Sequence, residues 1–313
     1  MVLDQHIREG RFQRSLALVA GLSGLLSGLE VTYEHYRGSY SQRVMYSPLI
    51  MGLALFVAGL WGALSRRAAR TVLPLVSLVT IADGIIGFGF HVRGIARKPG
   101  GWRFPVFNVI MGPPVFAPLL FAVGGYLGLI AALLRREDDP RLPVLPAAPV
   151  APCSGSPLAA SLSRALPWGI AREVSAVGQG VREGRFQRQL AVATAVSALF
   201  SGVEALYSHY KGTFAYKMQW TPIVLTPLLV VAGVGTIWSR RIAHTLLPVV
   251  SVLALLDGAV GTFYHARGIL RRPGGLKLPL YNLLYGPPIF APLLFAASGF
   301  MGLLSSLLRR EER

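Results

Sequence analysis

A chain of 313 residues that is 53% hydrophobic, 14% charged and formally +17 falls outside the range of ordinary soluble domains, in which about a quarter of the residues are charged. Its single cysteine, Cys153, excludes an intrachain disulfide, a cysteine-ligated zinc finger and an iron–sulfur cluster built by this chain alone. Arg and Lys gather at the ends of apolar runs and no nucleic-acid motif accompanies them, so the expected partner is the lipid bilayer and not nucleic acid.

In chain order, a stretch holding Asp4, Arg8, Arg11 and Arg14 precedes the first apolar run at about 15–36. It lacks the small-residue cleavage site of a signal peptide and reads as a helix that is retained. Further apolar runs follow at 47–64, 71–92 and 108–134. Runs of about 18 to 25 residues, at about 1.5 Å per residue, cross a hydrocarbon core of about 30 Å. Residues 138–178 are rich in Pro, Ala and Ser and read as a cytoplasmic linker. Within it, Leu158–Val174 has the composition of a surface helix that Pro167 interrupts. Four more apolar runs follow at 189–210, 221–238, 245–266 and 282–308.

Sliding the chain on itself aligns Arg8–Glu137 with Arg182–Glu311 at a constant offset of 174 without gaps, and about half of the positions are identical. Arg-Glu-Gly-Arg-Phe-Gln-Arg recurs at Arg8 and Arg182, and Gly-Pro-Pro-x-Phe-Ala-Pro-Leu-Leu-Phe at Gly112 and Gly286. The expected fold is therefore an all-α polytopic membrane protein with about eight transmembrane helices, a tandem parallel repeat of a four-helix unit. Its parts are residues 1–137, the linker 138–178 and residues 179–313. An even number of spans returns the second copy to the orientation of the first. The end bearing the termini and linker holds 19 basic residues against 12 at the other, which predicts cytoplasmic termini in a bacterial-type inner or plasma membrane.

Two copies that differ at half their positions reveal what each has retained. The first helices keep Ser27, Glu30, Tyr33 and His35, matched by Ser201, Glu204, Tyr207 and His209. The third keep Asp83 and His91, matched by Asp257 and His265, followed by Arg93 and Arg97 against Arg267 and Arg271. Asn108 and Asn282 stand ahead of Gly-Pro-Pro. Carboxylates at such depth cost several kcal/mol unless neutral, paired or facing a wet cavity, so each marks a functional site or a polar lock. Glu34 aligns with Ser208, His6 with Gly180 and His244 with Arg70, which makes these surface positions.

Helix geometry predicts two layers. His35 and His91 reach the same end of the bundle, while Glu30 and Asp83 lie five and eight residues deeper, about 7 to 12 Å at the helical rise. One metal ion does not take all four, and the Glu-x-x-His spacing of di-iron bundles is absent.

Three readings follow. In the first, His35 with His91, and His209 with His265, ligate a heme or a transition-metal ion, Arg93, Arg97, Arg267 and Arg271 neutralise its anionic groups, and Gly84, Gly87, Gly258 and Gly261 leave room for a flat ligand. Other membrane or electron-transfer subunits would then be partners. In the second, Glu30, Asp83, Glu204 and Asp257 carry a proton or cation in a small-solute carrier whose fourth helices are broken at Gly-Pro-Pro, where Pro removes donors and frees carbonyls. In the third, Glu30, Tyr33, Asp83, Asn108 and their counterparts Glu204, Tyr207, Asp257 and Asn282 only lock the helices of an accessory subunit together. Tyr33, Tyr36, Tyr40 and Tyr46 are expected in the headgroup belt, Arg-Phe-Gln-Arg as a cytoplasmic anchor, and the Gly-Gly pairs at Gly100 and Gly274 as loop turns. No Ser-His-Asp, Walker or dinucleotide signature assigns a catalytic residue.

Overall fold

The computed structural model describes residues 11–134, 136, 138–139 and 186–308. The linker beyond Asp139, with its expected surface helix at Leu158–Val174, lies outside these. Among the described residues all regular structure is helical. The first half holds α1 (Phe12–Arg37), α2 (Ser47–Leu64), α3 (Arg66–Arg70), α4 (Val72–Ala96), α5 (Pro105–Ile110) and α6 (Ala117–Leu133). The second holds α7 (Gln187–Lys211), α8 (Thr221–Trp238), α9 (Arg240–His244), α10 (Leu246–Leu270), α11 (Pro279–Tyr285) and α12 (Ala291–Leu307).

Among the described residues six helical segments are long and apolar enough to cross a membrane: Phe12–Arg37, Arg43–Leu64, Val72–Ala96, Gln187–Lys211, Lys217–Trp238 and Leu246–Leu270. α6 and α12 are apolar but shorter. Outward faces stay apolar, as at Leu53, Val57, Trp61 and Leu64 of α2, all more than half exposed except at intervening turns, an arrangement suited to lipid and not to water.

Proline sets where several helices begin, because its missing donor falls among N–H groups that are unpaired in any first turn. Pro48, Pro105, Pro118, Pro222, Pro279 and Pro292 all occupy the first or second helical position. The same rule corrects the expected continuous helices at 108–134 and 282–308. Gly112-Pro113-Pro114 separates α5 from α6, and Gly286-Pro287-Pro288 separates α11 from α12. The basic loops also curl into the short helices α3 and α9, where Ser65 Oγ accepts the Ala68 N–H and Ser239 Oγ the Ile242 N–H.

Small residues bring α1 and α2 together. A Cβ built on Gly59 stands 2.5 Å from the Ala17 carbonyl oxygen and 2.8 Å from Gly21 Cα, backbone atoms that have no room to yield. Gly84 and Gly258, expected to clear space for a flat ligand, serve contact instead. A Cβ on Gly84 would meet Pro118 O at 2.5 Å and Ala122 Cβ at 2.7 Å, and one on Gly258 would meet Ala296 Cβ at 2.5 Å. Gly87 and Gly261 likewise pack on Pro118 and Pro292.

At the end that bears the N-terminus, one apolar cluster joins the halves, with Phe12, Leu16 and Leu134 packed in the same group as Phe186, Leu190 and Met301. The Phe and Gln of each Arg-Phe-Gln-Arg run thus pack inward, while Arg11 stays exposed. Gln13 is 1% and Gln187 2% exposed; Ser305 Oγ donates to Gln187 O at 2.9 Å. Arg136, 1% exposed, donates to Gly62 O at 2.5 Å, Gln13 Oε1 at 3.4 Å and Asp138 Oδ1 at 2.8 Å. Asp139 receives the Arg136 N–H at 2.9 Å, Arg66 Nε at 3.0 Å and the Arg70 guanidinium. Burial would raise the Asp139 carboxyl, but that N–H and the Arg70 and Arg66 charges together hold it below the usual carboxylate range.

Gly59→Leu should destabilise the protein by about 1 to 3 kcal/mol in detergent unfolding through overpacking, whereas Gly89→Ala, whose Cβ meets nothing within 4 Å, should leave the midpoint unchanged. Because the Asp139 pKa is depressed on folding, its contribution is present above the ordinary carboxylate pKa near about 4 and is lost as pH falls through the lower native value. Asp139→Asn should therefore cost about 1 to 2 kcal/mol at pH 7, and the gap between variant and wild type should close in acid.

Candidate functional site

The α4 and α10 histidines solve the problem that the prolines create. A carbonyl oxygen carries no proton, so each ring Nδ1 facing one is the N–H donor. His91 Nδ1 donates to Pro114 O at 2.5 Å and His265 Nδ1 to Pro288 O at 2.5 Å. On the first helices, His35 Nδ1 donates to Met45 O at 2.7 Å and His209 Nδ1 to Gln219 O at 2.9 Å. In the neutral form each of the four rings is thus the Nδ1–H tautomer, with Nε2 as the lone-pair donor.

In the first half the two histidines come together. The His35 and His91 ring centroids are 6.5 Å apart with planes inclined at 62°. Among the described residues no group of three or more His, Cys, Asp or Glu side chains is arranged to hold a metal.

The chain that returns to His35 is strained. Ser39 (φ 59°) and Tyr40 (φ 44°) lie consecutively in the left-handed region, as do Thr213 (φ 59°) and Phe214 (φ 48°) in the second half. A non-glycine residue there costs about 1 to 2 kcal/mol. The turn brings Tyr40 onto Tyr46, with centroids 4.3 Å apart, and Phe214 onto Trp220, with centroids 4.1 Å apart. Repeated non-glycine strain beside a histidine is the kind of outlier that clusters at functional sites.

The carboxylates have a different task. Glu30, 8% exposed, accepts the Phe290 N–H at 3.1 Å, and Glu204 accepts the Phe116 N–H at 2.6 Å. Phe116 and Phe290 precede α6 and α12, so each glutamate caps the restarted helix of the opposite half, where N–H groups lack partners and the helix dipole favours negative charge. Tyr33, expected in the headgroup belt, is buried, and its hydroxyl donates to Glu30. Tyr207 lies near Glu204 without that bond. Ring stacking reinforces one side of the crossing, with Phe116 on Phe200 at 4.8 Å.

Asp83 stands beside the Ser47 hydroxyl and Asp257 beside that of Thr221. Asn108 Nδ2 donates to Pro99 O at 3.1 Å and Gly101 O at 2.7 Å, and Asn282 Nδ2 to Pro273 O at 3.1 Å and Gly275 O at 2.9 Å. Both asparagines therefore hold the preceding turn, where Gly100 (φ 78°) and Gly274 (φ 83°) adopt the left-handed conformation. Arg93, Arg97, Arg267 and Arg271 are exposed, at the ends of α4 and α10. Ser27 and Ser201 are buried. The sequence reading missed the crossed Glu-to-Phe caps, the Arg136–Asp139 cluster and the carbonyl partners Met45 and Gln219. Of the carbonyl partners, only those in the Gly-Pro-Pro breaks were signalled, because proline frees acceptors.

Ser39→Gly should relieve the turn and raise stability by about 1 kcal/mol in thermal unfolding. Glu204→Ala should lower it by about 1 to 2 kcal/mol through the lost cap. Comparison with protein families, with curated proteins and with solved structures finds no match to this chain.

Proposed function

We propose that the chain is an eight-span membrane protein, a tandem parallel repeat of four spans with the broken pairs α5–α6 and α11–α12 as the fourth of each set. Helix bounds that recur 174 positions apart, such as Ser47–Leu64 with Thr221–Trp238 and Val72–Ala96 with Leu246–Leu270, support this reading. By the charge bias its termini face the cytoplasm and the histidines the opposite side.

Each half then offers a bis-histidine site for a heme iron or a single transition-metal ion, serving electron transfer in the membrane. The observation that carries this reading is the shared tautomer: all four Nδ1–H groups are committed to carbonyls, the outer hydrogen bond that metal-ligating histidines characteristically make, with Nε2 left for the metal. His35 and His91, whose ring centroids are 6.5 Å apart, would hold the ion in the first half. Two protein ligands per half would leave the remaining positions to a porphyrin or to small ligands on a single ion; Gly84, Gly87, Gly258 and Gly261 of α4 and α10 clear no slot for a flat group, because Pro118 and Ala122, and Pro292 and Ala296, fill that space. Arg93, Arg97, Arg267 and Arg271 would neutralise propionates.

The broken helices favour a second reading, a proton- or cation-coupled carrier of small solutes. Glu30 and Glu204 bridge a span of one half to the broken helix of the other, so a change in their protonation would loosen both halves together. Asp83 and Asp257 are the further candidate carriers. A third reading, an accessory subunit, takes these groups as locks alone.

Purified protein should show a Soret band, or stoichiometric bound metal, after reconstitution with heme or metal ions. His35→Ala and His91→Ala should each remove one of two sites, and combination with His209→Ala should remove both. Protein that stays colourless and metal-free after reconstitution overturns the redox reading. Proton-coupled uptake lost in Glu30→Gln and Glu204→Gln would then support the carrier.

A further inference from the structure

The histidine-bearing end has an unusual surface independent of the histidines. Residues 34–46, 93–107, 208–220 and 267–281 carry 12 Arg and Lys against one carboxylate, Glu34, which pairs with Arg37 at 3.0 Å. Within this end, the turns before α5 and α11 alternate cations with large apolar side chains. Trp102 is 54%, Phe107 64%, Leu276 77% and Tyr281 54% exposed, beside Lys98 and Arg103 in one turn and Arg272 and Lys277 in the other. None of these four cations has a carboxylate partner among the described residues.

These turns are held rigidly. Asn108 ties Pro99 O and Gly101 O to α5, and Asn282 ties Pro273 O and Gly275 O to α11. The apolar side chains are therefore presented outward by a fixed scaffold and do not fold back onto the bundle. Aromatic and aliphatic tips with cations at the same level match the headgroup layer, where rings favour the interface and cations attract anionic phosphate. A soluble acidic partner would explain the charge but not the exposed Leu276 and Phe107, since charged residues and not bare aliphatic tips mark electrostatic docking.

We propose that the two asparagine-pinned turns are binding sites for anionic phospholipid, with Trp102, Phe107, Leu276 and Tyr281 entering the acyl boundary and Lys98, Arg103, Arg272 and Lys277 contacting headgroup phosphates. The sites use none of the histidines and do not depend on a metal.

The test uses the full chain with Trp102 as its only tryptophan, the other four replaced by Phe, reconstituted in vesicles containing brominated lipid. Brominated phosphatidylglycerol should quench Trp102 with an apparent affinity about fivefold above that of brominated phosphatidylcholine. The preference should collapse in the variant Lys98→Gln/Arg103→Gln and weaken in high salt. Equal quenching by the two lipids, no quenching by either, or a preference that survives in the variant overturns the proposal. A wild type without lipid preference that binds soluble heparin through these cations would also overturn it, assigning the face to an acidic soluble partner.

Discussion

Everything near the candidate site answers one constraint: a helix broken in apolar surroundings leaves backbone groups that must find partners. At each Gly-Pro-Pro break the carbonyl side and the donor side are satisfied from different places. The carbonyl is taken within the same half, by His91 on Pro114 O and His265 on Pro288 O. The donor is taken from the opposite half, by Glu204 on Phe116 N–H and Glu30 on Phe290 N–H. A buried carboxylate and an exposed helix end are each costly alone and stabilise one another when paired.

This arrangement makes the halves interdependent, since neither break is fully satisfied by its own half. It also leaves them unequal. Glu30 is held by Tyr33 as well as by Phe290, while Glu204 lacks the matching tyrosine bond and has the Phe116–Phe200 stack beside its contact instead. The packing of α1 on α2 differs in the same way, since Gly21 and Gly52 are replaced by Ala195 and Thr226 in the second half.

The histidines carry structure and chemistry on opposite ring atoms. Nδ1 closes the break or the strained Ser39–Tyr40 turn, and Nε2 is left with its lone pair. A purely structural role uses only the first atom. The consecutive left-handed residues beside both His35 and His209 persist at an energetic cost that the Tyr40–Tyr46 and Phe214–Trp220 stacks offset only in part.

Long apolar runs and prolines at fixed offsets determined the helices, because burial in lipid and a missing N–H are properties of residues and not of their neighbours. Ser47–Leu64 and Thr221–Trp238 were legible to the residue, and the His35–His91 approach followed from two helices ending at one level. Glycine, glutamine and glutamate were not legible in that way. Whether Gly84 clears a slot or admits Ala122, whether Gln13 faces water or Arg136, and whether Glu30 awaits a proton or caps Phe290 depends on which atom stands opposite. Only the tertiary structure decided these, because the partner of Glu30 lies 260 residues away and no local pattern encodes a hydrogen bond across that distance.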